Sequence, residues 1–138
     1  MKNQKILIGG QALRQLGSDR YTNDTDYLIN DKSTSEAFIT SDKVDFINAN
    51  GNDFFMKVWN LEKNNNSEIA SPQALLELKA YSLVQHCQNM NWAKADATEY
   101  DIKFLVRTFK LTTIKIANKF ISNGELFEVN KIINSVKF

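Results

Sequence analysis

The sequence predicts an α+β fold, with a small mixed β-sheet in its first part and helices in its second. Residues 25–29 and 43–47 are short runs rich in β-branched, aromatic and aliphatic residues, which are typical of strands. After Ser71 the apolar residues recur with helical spacing. We therefore expect a single domain over 1–138, with an α/β portion at 1–70 and a helical portion at 71–138 packed on the sheet.

Composition excludes several classes of function. The net charge of +1 gives no overall field to attract nucleic acid or an anionic membrane, so any phosphate recognition has to be local. The single cysteine, Cys87, cannot form an internal disulfide. There is no basic-then-apolar leader and no apolar run near the roughly 20 residues that a membrane span needs. These features predict a cytoplasmic protein that does not insert into membranes.

The first elements follow from local patterns. An apolar run at 5–8 leads into the Gly9-Gly10 turn, and residues 11–16 have helical propensity up to the stop at Gly17. A polar loop at 18–23 precedes the strand at 25–29. Ser33 and Glu36 form a capping-box pattern, which predicts one helical turn before the strand at 43–47.

The later elements are helices. Asn52 or Asp53 is expected to cap a helix whose apolar face is formed by Phe54, Phe55, Val58 and Trp59. Ser71 as the N-cap and Pro72 at the first position predict a long helix to about residue 90. Further helices are predicted at 93–109, from about 112 to 123, and at 126–136. Both tryptophans, Trp59 and Trp92, are expected to pack against other elements.

The residues that suggest a binding or catalytic site lie between Gly9 and Asp26. Asp24 and Asp26 lie two residues apart at the start of a predicted strand, so their carboxylates point to the same side. Adjacent carboxylates repel each other unless a cation lies between them, and Mg²⁺ with substrate phosphates is the usual cation. Gly9 and Gly10 let the backbone at a helix start approach a phosphate. Each pattern alone is typical of an ordinary turn, but their order predicts a site for a metal-bound triphosphate.

The same residues resemble the polymerase-beta-like nucleotidyltransferase superfamily, whose signature is a glycine turn followed by an acidic-x-acidic strand. The closest resemblance is to abortive-infection-type nucleotidyltransferase toxins, which carry Arg-x-Ser/Thr-x-Asp-x-Asp; here this motif runs from Arg20 to Asp26. A Ser-Pro-x-x-Leu-Leu-x-x-Lys helix also matches at 71–79. The resemblance covers residues 6 to 105 and implies a small mixed sheet of the nucleotidyltransferase type.

The resemblance implies a role for each motif residue. Asp24 and Asp26 are the expected catalytic metal ligands, and Asp45 is the expected third carboxylate because it is the only acid within the second predicted strand. The alternative for Asp45 is a strand-edge charge that faces solvent. Gly9 and Gly10 are expected to form the phosphate-binding turn. Either Arg20 or Thr22 is expected to order the loop or to contact phosphate.

Residues of the helical portion complete the expected nucleotide site. Lys79 is expected to reach the triphosphate as a point charge, although an ordinary solvated lysine fits the pattern nearly as well. Asp96 is expected to close the site. Asp101 is the alternative for that position, because Lys94, Asp96 and Asp101 depart from the tightest spacing of the motif.

The implied activity is Mg²⁺-dependent transfer of an NMP from an NTP to an acceptor hydroxyl. Two Mg²⁺ ions are expected, with Mn²⁺ as an alternative. A tRNA end and a protein side chain are both open as acceptors, and a toxin with an antitoxin or helper protein, or a phage-defence or counter-defence factor, is the expected context. Two other readings stay open: a catalytically inactive module of the same fold that binds nucleotide or a protein partner, and a plain α+β interaction protein.

Overall fold

A computed structural model describes residues 5–137, which contain four strands and five α-helices. The chain divides into two compact units, Met1–Ala74 and Leu75–Phe138. The described strands all lie in the first unit, whereas the second is helical. The α+β class is therefore confirmed.

The first unit is built on a four-stranded mixed sheet. Its elements are, in chain order, β1 Ile6–Ile8, α1 Gly9–Gln15, β2 Thr25–Ile29, β3 Phe38–Ser41, β4 Val44–Asn48 and α2 Asp53–Glu62. The strand order is β1-β2-β4-β3, with β2 and β4 parallel and the other two pairs antiparallel. The predicted strand at 25–29 is confirmed, and the one at 43–47 is shifted by a single residue.

The register places two rows of side chains on one face of the sheet. The apolar row consists of Ile6, Leu28, Ile47 and Phe38. The next row toward the start of β2, which we call the acidic row, consists of Ile8, Asp26, Asp45 and Thr40. Leu28 is completely buried, and α1 contacts both β1 and β2. The acidic row thus lies directly beside an apolar row of the same sheet.

The helix predicted from Ser33 and Glu36 does not form. The Ser33 hydroxyl and backbone N–H both donate to Oδ1 of Asp31, at 2.6 and 3.0 Å, so Ser33 belongs to a turn. The completely buried Asn48 holds this loop, because its amide donates to the carbonyl oxygens of Asp31, Thr34 and Glu36. Tertiary hydrogen bonds therefore replace the local capping box.

Strand β3 was not predicted. It forms a hairpin with β4 through a two-residue turn at Asp42 and Lys43, whose φ angles are 49° and 65°. Positive φ at both positions is typical of the type I′ turn, which usually contains Asn-Gly or Asp-Gly. Because neither residue is a glycine, the sequence gives no clear indication of this hairpin.

The remaining helices are α3 Pro72–Gln88, α4 Trp92–Phe109 and α5 Asn123–Ser135. The division between the two units falls in the first turn of α3. Ser71 caps α3 by accepting from the N–H of Ala74 at 3.2 Å, as predicted. Asn52 caps α2 in the same way, and the four predicted core residues of α2 are buried. Trp92 differs from the prediction, because 59% of it is exposed.

The helix predicted from about residue 112 is largely absent. This segment is irregular apart from a 3₁₀ turn at Ala117–Lys119. The cause is Glu77 of α3, which is completely buried and accepts the N–H groups of Lys115, Ile116 and Ala117 at 2.7, 3.0 and 2.9 Å. A carboxylate that binds three consecutive N–H groups satisfies donors that would otherwise seek helical partners.

Helix α5 begins three residues before the predicted start. Ser122 and Glu125 form a reciprocal capping box, with the Ser122 hydroxyl accepting from the N–H of Glu125. The Ser122 N–H and the Gln88 amide donate to the Glu125 carboxylate, and these bonds lower its pKa. In residues 5–137, no helix has the length and apolar character needed to cross a membrane.

Asn48→Asp is expected to destabilise the protein by about 3 kcal/mol, because a carboxylate would face three carbonyl oxygens and leave them without donors. Urea unfolding of both proteins measures the difference. The exposed Asn66→Asp substitution makes the same chemical change and should be nearly neutral. Equal stabilities for Asn48→Asp and wild type would contradict the role given to Asn48.

Glu77→Gln is expected to lower the free energy of unfolding by about 2 kcal/mol, because one carboxylate oxygen becomes an amide that cannot accept a backbone N–H. Amide hydrogen exchange should show faster exchange at Lys115, Ile116 and Ala117 than in wild type. Glu128→Gln, on the exposed side of α5, is the matched control and should change neither quantity.

Candidate active site

Asp26 and Asp45 lie next to each other in the acidic row. They are Cα partners in the parallel pairing of β2 with β4, so both side chains leave the same face of the sheet. Neighbouring strands are about 4.8 Å apart. Both residues are half-buried, beside the completely buried Leu28. The sheet therefore places two carboxylates side by side next to an apolar surface.

Gly9 packs directly against Asp26. A Cβ atom on Gly9 would clash with the Asp26 carboxylate, and it would lie only 3.2 Å from Cγ and 3.3 Å from Cβ of that side chain. Gly9 also has a φ of +69°, which side chains rarely adopt. The position thus requires glycine for two independent reasons.

Gly10 brings the loop motif to the same place. A Cβ atom on Gly10 would lie 2.6 Å from Cγ2 of Thr22 and 3.3 Å from Nη2 of Arg20. Of the residues predicted for the site, Gly9, Gly10, Arg20, Thr22 and Asp26 are therefore brought together. In the structure, the lack of a side chain at Gly9 leaves space for Asp26, and its lack at Gly10 leaves space for Thr22 and Arg20.

Two side chains of α1 hold this loop. Gln11 donates to the carbonyl of Thr22 at 3.0 Å, and Arg14 donates to the carbonyl of Arg20 at 3.2 Å. The Thr22 hydroxyl accepts from the N–H of Asp24 at 3.3 Å. Neither Gln11 nor Arg14 is predicted as a site residue; their one indication in the sequence is their position as polar residues on the helix that follows the glycines.

Asp45 lies on an interior strand of the sheet. Strand β4 has β2 on one side and β3 on the other, so Asp45 is not at a sheet edge. Its Oδ1 accepts a hydrogen bond from the Thr40 hydroxyl at 2.8 Å, and Thr40 is its Cα partner on β3. Thr40 was missed because β3 was not predicted.

Asp24 is exposed and lies just before β2, outside the strand pairing. Across residues 5–137, no three His, Cys, Asp or Glu side chains form a group that could hold a metal ion. Asp24, Asp26 and Asp45 are therefore not gathered into one three-carboxylate cluster. The arrangement in the structure is a pair, Asp26 and Asp45.

This pair fits Mg²⁺ in one common mode of binding. Mg²⁺ in phosphate-transfer sites is usually held by one or two carboxylates, and its other positions are filled by water and substrate phosphates. Two carboxylates in register, one of them oriented by Thr40, match that donor set. The residues present can hold a metal that arrives together with a polyphosphate.

The expected site residues of the helical portion are also located. The Lys79 ammonium lies 2.9 Å from Oδ2 of Asp101, whose side chain is completely buried. Asp96 is exposed on α4. Of the two candidate aspartates, Asp101 is therefore the one that pairs with Lys79, and loss of the lysine would leave its carboxylate buried without this charged partner.

Comparisons with protein-family models, with curated proteins and with solved structures find no match to this chain. Any function assigned to this chain therefore rests on its own residues.

Gly9→Ala is expected to destabilise the protein by about 2 kcal/mol, because the new methyl group meets the Asp26 carboxylate and the backbone is strained. Thermal or urea unfolding measures the loss. Gly17→Ala separates the two causes, since Gly17 has a φ of +111° but nothing within 4 Å of an added Cβ.

Gly124→Ala is the second control, because Gly124 lies in α5 with no positive φ and nothing near an added Cβ. It should be neutral or slightly stabilising. If Gly9→Ala costs as much in the Asp26→Ala background as in wild type, close packing against Asp26 is not what requires a glycine at position 9.

Proposed function

We propose that this protein is a Mg²⁺-dependent nucleotidyltransferase that moves an NMP from an NTP to a hydroxyl group of an acceptor, either a tRNA or a protein. The observation that carries the proposal is the placement of Asp26 beside Asp45 on parallel strands, with Gly9 packed against Asp26. In the proposed reaction the acceptor hydroxyl gives up its proton to solvent and its oxygen bonds to the α-phosphorus, while the bond to the β-phosphate breaks and pyrophosphate leaves.

Asp26 and Asp45 are the proposed ligands of the metal, and Asp24 is the proposed additional ligand from the loop. When bound, Mg²⁺ neutralises phosphate charge and favours the ionised acceptor hydroxyl. Thr40 orients Asp45 through its hydrogen bond, and Gly9 gives the Asp26 carboxylate its space.

The proposed nucleotide contacts in the first unit come from the loop before β2. Arg20 has its guanidinium beside Gly10, where it is suited to pair with a phosphate group. Gly10 and Thr22 form the rest of this contact. Lys79 and Asp96 are proposed nucleotide-binding residues on the basis of the motif resemblance alone.

The second candidate is an inactive module of the same kind that binds a nucleotide or a protein partner. The observation that favours it is that the described residues gather two carboxylates and not three. The expected settings, a cytoplasmic toxin with an antitoxin or a phage-related defence factor, apply to either candidate.

Asp26→Asn and Asp45→Asn are each expected to reduce NMP transfer by about 100-fold or more, because each removes a charge from the pair. The measurement is transfer of α-labelled phosphate from each NTP to RNA and to protein, with Mg²⁺ present. Asp53→Asn, an exposed aspartate at the start of α2, is the control and should retain wild-type transfer.

Transfer at wild-type rates by Asp26→Asn would overturn the proposed site. If the wild-type protein binds NTP with Mg²⁺ in calorimetry but transfers nothing to any acceptor over long incubation, the inactive module is the correct function. Absence of both NTP binding and transfer would exclude an enzyme and a nucleotide-binding module, and would leave a protein that acts through a protein partner.

A further inference from the structure

Positive charge is concentrated in one segment of the second unit. Residues 102–124 contain no Asp or Glu, although the whole chain has 16 of them. The basic residues of this segment, which we call the basic segment, are Lys103, Arg107, Lys110, Lys115 and Lys119. The basic segment is therefore strongly positive, although the total charge of the chain is close to zero.

The basic side chains face solvent. Arg107, Lys110, Lys115 and Lys119 are exposed, and Lys103 is 39% exposed with Glu99 of the same helix at 3.1 Å. The first three basic residues lie in the second half of α4 and at its end, and the last two lie in the irregular segment before α5.

The backbone of the irregular part is held in place. Glu77 binds the N–H groups of Lys115, Ile116 and Ala117, and the side chains of Ile114 and Ala117 are buried. Because Ile114 and Ala117 point inward and the backbone between them is held by Glu77, the ammonium groups of Lys115 and Lys119 stay on the outside. The positive surface is thus a built feature and not a disordered tail.

Two simpler explanations for the positive charge do not account for all five basic residues. The helix dipole favours basic residues at the end of α4, which accounts for Arg107 and Lys110 but not for Lys115 and Lys119. A membrane surface would require exposed apolar side chains beside the positive charges. Here the large apolar side chains of residues 102–124 are buried or only half-exposed, and none of them is fully exposed.

We propose that the basic segment binds RNA through its phosphate backbone. The positive charges recur every three to five residues along the segment, which suits a linear polymer with one negative charge per nucleotide. Thr108 and Thr112 add exposed hydroxyl groups, which commonly donate to phosphate oxygens. Because it selects RNA as the acceptor, this proposal rests on the proposed function. The RNA binding itself is measured without NTP or Mg²⁺.

The test is fluorescence anisotropy with a 20-nucleotide oligouridine over a range of salt concentrations. Five phosphate contacts predict that binding weakens by about 100-fold between 50 and 200 mM salt. The double variant Lys115→Gln/Lys119→Gln loses two of these contacts. The factor by which the same salt increase weakens its binding should therefore be about sevenfold smaller than the factor for wild type. The hydrogen bonds to Glu77 involve only the backbone at residue 115 and are retained.

Lys32→Gln/Lys57→Gln removes the same charge from exposed positions in the first unit and should bind as wild type does. Asp26→Asn should also bind normally, so that loss of transfer and loss of RNA binding are separate results. The proposal is overturned if the salt dependence of Lys115→Gln/Lys119→Gln equals that of wild type. It is equally overturned if polyglutamate of matched charge competes as well as RNA, or if vesicles of anionic lipid bind the segment more tightly.

Discussion

The parallel pairing of β2 with β4 is the constraint on which the candidate site depends. Parallel neighbours need a long connection, because the chain has to return to the same end of the sheet. Here that connection contains a structured loop and strand β3, which forms the outer neighbour of β4. The register that results places Asp26 opposite Asp45, and a shift of one residue would turn one of them to the other face.

Two buried polar side chains organise the irregular parts of the chain, and they do so with opposite chemistry. Asn48 donates to carbonyl oxygens of the loop before β3 and also accepts the N–H of Asp31 at 2.8 Å. Glu77 accepts N–H groups of the segment before α5. In each case one side chain satisfies several backbone groups that have no helix or sheet partner, which is why these loops adopt a defined path.

Sequence patterns predict the elements correctly where the structure depends on interactions between neighbouring residues. The caps at Asn52 and Ser71 and the apolar face of α2 follow from neighbouring residues, and these elements form as predicted. The failures at 31–37 and 112–122 share a cause, because their partners are Asn48 and Glu77, many residues away. No local pattern indicates which distant side chain will take up a segment's hydrogen bonds.

In the candidate site, too, some residues can be predicted from local sequence patterns and others cannot. Motif order predicts that the glycine turn and Asp26 lie near each other across a bound triphosphate, whereas in the structure Gly9 packs directly against Asp26; Asp45 lies on the strand predicted for it. Thr40 and Gln11 could not be found, since their roles depend on an unpredicted strand and on the path of the loop. The charged groups of the site are therefore better indicated by the sequence than the neutral groups that orient them.

The close fit between Gly9 and Asp26 links the evolution of two positions that are 17 residues apart in sequence. As long as the carboxylate occupies this space, selection on position 26 is also selection against any larger residue at position 9. A lineage that lost the aspartate would relieve the steric restriction at position 9 and leave only the positive φ to favour glycine there. Substitutions at the two positions should therefore accumulate in a fixed order, with the acidic residue replaced first.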